Sequence, residues 1–593
     1  MRPHARRLAV VLPLSLALSL ALFPAAAGAE TAASEALHEL FDREWEWRLR
    51  ESPMLATSVG RHEWNDRLSS VSAEDEARRA EETRAFLAEL DAIDREALGV
   101  TDQINHDIFR SQLANRVESF EFGDHEIPIN ADSGWHSSFA RLPQNVPLAT
   151  PQDYENYIAR LNAFPTYAAQ HIANMRSGLA RGMTLAHVVL EGIEDTIAAH
   201  IVEEPEESAF WEPFESFPVG VPESEWGRLR AAGETAIRES IVAAYQSFFD
   251  FMVEEYKPGA RRTLGASELP EGRDYYQLQI RIYTSLDLTP EEIHQIGLSE
   301  VKRIRQEMEA IIERVGFEGE FADFLTFLRT DPRFYAETPE ELLMRAAWIA
   351  KRMDGKLPAL FKTMPRLPYT VEAVPDAIAP KYTGGRYVGA AEGSTQPGRY
   401  WVNTYALENR PFYTQEALTL HEAVPGHHFQ VALSRELEDL PNFRRYSYIS
   451  AFGEGWGLYS EFLGIEAGFY TDPYSDFGRL TYEMWRACRL VVDTGVHAFG
   501  WSREQALDFL AGNTALSLHE VRTEIDRYIS WPAQALSYKL GELKIKELRR
   551  RAEAALGAEF DIREFHDAVL LHGAVPLPVL ERQIERFIAE AEG

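Results

Sequence analysis

Apolar positions recur at helical spacing over most of the chain, and the exceptions mark its organisation. From Glu30 to about Gly259 the pattern predicts helices. Thr150 to Asp153 reads as a helix start with proline at the first helical position, opening an amphipathic run through Ala163. Prolines, acids and aromatics between Glu203 and Pro222 interrupt the pattern and predict a surface loop. Thr289–Glu292 and Thr338–Glu341 carry the capping-box spacing, again with proline at the first position. They predict helices running to Val315 and Met353. Between Pro368 and Tyr405 the texture changes to Pro, Gly, Tyr, Val and Thr, and short strands are expected around Tyr382–Arg386 and Gly398–Thr404. From Gln415 the helical pattern returns and holds to the C-terminus. The expected fold class is mainly α, with a small β insert.

The first 29 residues differ from the rest. Arg2, Arg6 and Arg7 precede an apolar run from Leu8 to Phe23, and Ala27–Ala29 form a small-residue cleavage signal. Cleavage after Ala29 and export to the periplasm or medium are expected. The apolar run is short for a membrane span, although an uncleaved anchor is the alternative. The expected organisation is a signal peptide over 1–29, a helical lobe over 30–367 and a catalytic lobe over 368–593. The latter contains the β insert 368–405, motif helices 415–470 and C-terminal helices 475–593.

Composition narrows the partners. The 593 residues carry a formal net charge of −33, which argues against nucleic acid or an anionic membrane surface. No stable membrane association is expected after cleavage. Cys488 is the single cysteine, so no internal disulfide is possible, and no cysteine stands at the cleavage point to take a lipid.

The chemistry concentrates between Leu418 and Glu461. His421 and Glu422 stand together, His427 and His428 follow six and seven positions after His421, and Glu454 lies in a glycine-rich run. Imidazoles and a carboxylate suit zinc, and Glu422 is placed to act as general base. The usual pair of zinc histidines is spaced i, i+4, but that position is Pro425. A straight helix would separate His421 from His427 by about 9 Å of rise. A helix bulge at Pro425–Gly426 is therefore expected. Glu454 is the expected third ligand, and Glu461, seven residues on, is expected to orient a ligand histidine. His62–Glu63 and His519–Glu520 lack a second histidine at useful spacing.

The run H-E-A-V-P-G-H-H-F-Q followed by E-G-W-G-L-Y-S-E resembles a bacterial family of exported proteins catalogued as a domain of unknown function. The resemblance extends over nearly the whole mature chain, including L-V-V-D-T-G-V-H at 490–497 and the segment 524–541. It implies kinship with glutamate-liganded zinc metallopeptidases of the thimet oligopeptidase and carboxypeptidase Taq types. A zincin-like helical fold with two lobes around a cleft would follow, with Zn2+ as cofactor. Those relatives place the glutamate ligand about 25 residues after the second histidine, and Glu454 lies 27 after His427 and 26 after His428. A one-residue expansion ending in Gly-His, in one dipeptidyl peptidase family, favours His427 over His428.

Related peptidases also draw an oxyanion donor from a C-terminal helix. Tyr528 and Tyr538 are the candidates here, with Tyr528 preferred beside Arg527, a candidate clamp for a substrate carboxylate. Pro532 is expected to end that helix and expose Gln534. Arg489, Asp493 and His497 recur on one helix face, and the resemblance points to His497 as a site residue. The expected activity is hydrolysis of amide bonds in short peptides, through metal-activated water and Glu422. Hydrolysis of non-peptide amides or N-acyl amino acids, or non-catalytic binding, are the alternatives.

Overall fold

Threonine caps start the long helices where expected. The Thr289 hydroxyl accepts from the Glu292 N–H, while the Glu292 carboxylate accepts from the Thr289 N–H at 2.9 Å. The helix they open, Pro290–Val315, lies along Pro473–His497, and Gly297 permits the contact: a β-carbon there would stand 2.8 Å from the Leu490 side chain. Thr338 caps Pro339–Asp354, but Glu341 reaches the Glu337 N–H, so that box is not reciprocal. The computed structural model describes residues 23–376, 378–390 and 396–592, and most of the expected leader lies outside them. The first described helix, Phe23–Glu51, already includes Ala27–Ala29.

Two expectations need correction. The helix opened at Thr150 does not stop near Ala163; it continues through Pro165 to Arg181. Buried Leu161, Phe164, Ala168 and Ile172 extend one apolar stripe across the proline, and their burial outweighs its cost of about 3 kcal/mol. The segment 203–222 is not a surface loop throughout. It forms short helical turns that bury Phe210 and Phe214 completely, and the hydroxyls of Tyr154 and Tyr157 donate to the Pro213 and Phe210 carbonyls at 2.9 Å.

The β insert has three strands, β1 (Tyr369–Ala373), β2 (Gly385–Val388) and β3 (Gly398–Val402), in the order β1-β3-β2. β1 runs parallel to β3 and β2 antiparallel, with Tyr387 opposite Tyr400. The buried Tyr400 hydroxyl meets the Thr419 hydroxyl at 3.3 Å, tying the sheet to the helix that carries His421. The remainder is helical, and the fold is mainly α.

One hydrophobic cluster extends from Leu37 to Ile584 and crosses residue 367 without a gap. Phe41, Phe109 and Phe443 pack edge-on or tilted within it at 4.6–4.9 Å between ring centres. Among the described residues no helix is long and apolar enough to cross a membrane.

Candidate metal centre

His421 and Glu422 end the helix Phe412–Glu422, and His427 opens the helix His427–Arg435. The chain between them does not bulge within one helix, as expected from the spacing; the helix breaks. Ala423 and Gly426 leave helical geometry with ψ of −107° and −132°, and the Val424–Pro425 peptide is cis. Pro425 has no N–H to continue the ladder. Gly426 lies so close to the His421 carbonyl that a β-carbon there would overlap it. The Trp456 indole N–H donates to the Pro425 carbonyl at 2.8 Å and fixes the break from outside. The result sets the His421 and His427 rings edge to face, 4.8 Å apart.

The helix Ser450–Glu466 brings Glu454, and its glycines make room on two opposite faces. A β-carbon at 453 would stand 2.5 Å from the Tyr448 ring, one at 455 would stand 2.5 Å from the Gly541 Cα, and one at 457 would stand 2.7 Å from His421 Nε2. Close approach, rather than an unusual dihedral angle, is the reason for glycine here. Four residues after Gly457, Glu461 Oε1 accepts from His421 Nδ1 at 2.8 Å. That bond turns the other nitrogen, Nε2, towards Glu454.

Nitrogens of His421 and His427 and an oxygen of Glu454 lie within 4.8 Å of one another. Glu454 Oε2 is 3.6 Å from His421 Nε2 and 3.4 Å from His427 Nε2. These distances exceed an ordinary N–H···O bond. They match the edge of a tetrahedron of ligands about 2.0–2.1 Å from zinc, which is about 3.4 Å. Without a cation the cluster holds protons instead. Burial lowers the His421 pKa, but the neighbouring Glu454 and Glu461 carboxylates outweigh burial and raise it to about 10. The Glu454 carboxyl is held well below the usual range: burial raises its pKa, but the two histidines outweigh it. A divalent cation can take the place of those protons, so the donor set fits a metal.

Glu422 stands beside this cluster. Its Oε2 accepts from the Tyr387 N–H of β2 at 2.8 Å, so the β insert holds the expected base directly. Two tyrosines flank the same space. The Tyr448 hydroxyl donates to Glu454 Oε1 at 2.8 Å. The Tyr538 ring lies 6.5 Å from that of His421, under the Arg489 guanidinium at 4.2 Å. Burial and Glu454 raise the Tyr538 pKa, but Arg527, Arg489 and a hydrogen bond with Gln534 outweigh them and lower it.

Several sequence candidates lie elsewhere. His428 faces away, with Nδ1 3.3 Å from the Tyr387 hydroxyl and its ring 4.6 Å from that of Tyr369, and burial pushes its pKa down to about 4. Of the two adjacent histidines only His427 joins the cluster, because consecutive residues at a helix start point about 100° apart. The Tyr528 hydroxyl is buried and accepts from Trp485 Nε1 at 2.7 Å and Arg489 Nε at 2.8 Å. That places it behind Tyr538, across the Arg489 guanidinium.

His497 is fully buried and bridges backbone: Nδ1 accepts from the Ala266 N–H and Nε2 donates to the Tyr528 carbonyl, each at 2.9 Å. With both nitrogens engaged it has no free position for catalysis. Burial holds its pKa to about 3, so it stays neutral. Its helix neighbour Asp493 accepts from the Tyr276 hydroxyl and the Ala533 N–H. Arg527 donates to Gln534 Oε1 at 2.9 Å and faces Glu524 and Asp132 at 3.6 and 3.8 Å. Gln534 is buried, not exposed, because Ala533 adopts φ +66° and turns the chain back after Ser530.

Two residues escaped sequence reasoning. Tyr448 comes from the loop before the Glu454 helix, and its only sequence signal is an aromatic in a polar run beside Gly453. Arg386, on β2 next to Tyr387, stands in a segment that predicts only a strand.

Comparison with known proteins agrees over the whole length. The chain is similar to a presumed lipoprotein from Colwellia psychrerythraea of solved structure, with 31% identity, a TM-score of 0.89, and coverage of 94% of this chain and 100% of that one. A presumed lipoprotein of unknown function from Shewanella oneidensis shares the fold, with 15% identity, a TM-score of 0.69, and coverage of 93% and 99%. No curated protein matches. The family model described as "Bacterial protein of unknown function (DUF885)" matches residues 53–584, and the chain belongs to that family.

Proposed function

We propose that the protein is an exported, zinc-dependent hydrolase of amide bonds in short peptides. The observation that carries this reading is that His421 and His427 each stand about a tetrahedral edge length from Glu454 Oε2, at 3.6 and 3.4 Å, with the Glu422 carboxylate alongside. Two histidines and one carboxylate form the donor set of hydrolytic zinc sites, which keep a fourth position open. When bound, zinc supplies Lewis-acid polarisation of a substrate carbonyl and of the attacking water. Glu422 takes the proton from that water and passes it to the leaving amine. The Tyr387 N–H holds one Glu422 oxygen and leaves the other for this work. Tyr538 donates to the oxyanion, and the cations around it favour the charge that develops there. Glu461 fixes the His421 tautomer. The leader over 1–29 and the lipoprotein description of the relatives support export, to the periplasm or the medium.

The test is metal analysis of purified protein combined with cleavage of a random short-peptide library, read by mass spectrometry. One zinc per chain and chelator-sensitive cleavage are expected. Glu422→Gln should keep the zinc and lose turnover by at least about 10²–10⁴-fold. A zinc-loaded protein that cleaves no peptide, or an E422Q variant as active as wild type, would overturn the reading.

A further inference from the structure

Arg386 stands on β2 immediately before Tyr387, the residue whose N–H holds Glu422. The residue is exposed, and its guanidinium lies 5.4 Å from the Tyr382 ring centre. No carboxylate forms an ion pair with it among the described residues, although the chain has 93 acidic residues against 60 basic ones. Instead it has cations for neighbours. Arg527 and Glu422 are both close enough to act on its charge, and Arg386 in turn acts on Arg141. Arg141 is exposed as well, and no carboxylate pairs with it among the described residues. Arginine does not discharge by losing its proton, so gathering three such groups costs free energy until an anion arrives. Arg527 has Glu524 and Asp132 facing it at 3.6 and 3.8 Å; Arg386 has no such partner.

Resting on the hydrolase reading, we infer that Arg386 binds the free α-carboxylate of the substrate on the leaving-amine side of the cleaved bond. The side follows from Glu422. The carboxyl that hands its proton to the departing amine must sit beside that amine, and Arg386 directly precedes Tyr387, whose N–H holds that carboxyl. A carboxylate carried by the amine fragment therefore meets Arg386 first, and a guanidinium can grip it through two parallel hydrogen bonds. The substrate class becomes peptides cut near a free C-terminus, with N-acyl amino acids included by the same chemistry. Arg386 is a specificity-determining residue and takes no part in proton transfer.

Matched N-acetyl tripeptide mixtures, one with free C-terminal carboxylates and one amidated, are the probes. Zinc-loaded E422Q protein is used for equilibrium binding by calorimetry, and zinc-loaded wild type for cleavage. The free-acid mixture is expected to bind about 100-fold more tightly than the amide. Arg386→Gln should bring that ratio towards one and Arg386→Lys should restore part of it, each with an unchanged circular dichroism spectrum. Acid-selective binding without any cleavage would leave this inference standing and remove the hydrolase reading. Cleavage of amides as readily as acids, equal binding of the two mixtures, no binding of either, or an unaltered ratio in R386Q would overturn it.

Discussion

His421 occupies the space that a side chain at position 457 would need: a β-carbon on Gly457 would stand 2.7 Å from His421 Nε2. The nitrogen that faces Glu454 is thus seated against the bare backbone of the helix that supplies that carboxylate. Gly457→Ala should displace the imidazole by several tenths of an ångström. Zinc affinity should fall at least about tenfold, as expected for a disturbed ligand shell. Competition with a chromogenic chelator measures it, and circular dichroism should show the fold retained.

Glu461 gives a second, independent handle on the same ring. Its carboxylate accepts from His421 Nδ1 at 2.8 Å and lies 3.4 Å from Arg486. Glu461→Gln keeps the shape and removes the charge. Metal affinity should drop by about 10–100-fold, with Glu454 and both histidines still present. An unchanged dissociation constant for zinc would show that Nδ1 needs no anionic partner.

The two tyrosines should separate cleanly. Tyr538→Phe is expected to lower kcat by about 10²-fold with KM little altered, the pattern of an interaction made only in the transition state. Tyr528→Phe strands the Trp485 indole and the Arg489 guanidinium that donate to its hydroxyl. It should cost about 1–3 kcal/mol of stability, read from urea unfolding, and affect kcat less than Y538F does.

Acid should destabilise the fold through histidines far from the centre. Burial holds His136, His171, His497 and His566 down to about 3 and His200 to about 4. The unfolded chain takes up these protons below its ordinary value near 6.5, while the folded chain refuses them. Stability is therefore full above about pH 6.5 and falls as pH drops towards 4. At pH 4.5 the loss is about 2–3 kcal/mol for each such histidine. Neither ring nitrogen of His171 has a hydrogen-bond partner, and its ring stacks on Trp135 at 4.9 Å. Calorimetric Tm values from pH 7 to 4 should decline, and His171→Phe should make the decline shallower.

What was legible in the chain was local chemistry. The caps at Thr150 and Thr289 depend only on residues three positions apart, and they formed as written. Glu454 stood out because glycines on both sides have no local use and imply a close neighbour. The phase of the chain across its breaks was not legible. Pro425 announces an interruption, but the residues alone leave His427 and His428 open; the family resemblance favours His427, which is the one that joins Glu454, with Trp456 gripping the Pro425 carbonyl from another helix. The same holds at 530–537, where Ala533 reverses the chain and sends Tyr528 and Tyr538 to opposite sides of Arg489. Arg386 and Tyr448 reach the site from a strand and a loop, through tertiary approach with no sequence period to reveal it.

The helix that carries Glu454 is approached closely on two opposite faces, by the Tyr448 ring at 453 and His421 at 457 on one and by the Gly541 backbone at 455 on the other. Such a helix cannot roll about its own axis. A slip of one residue would turn it by about 100° and drive a side chain into each contact. Its azimuth is locked like a key cut on two opposite edges, so the carboxylate is aimed at the two histidines by the fold itself. Metal capture then requires little rearrangement of this helix, and zinc uptake should follow completion of the surrounding fold.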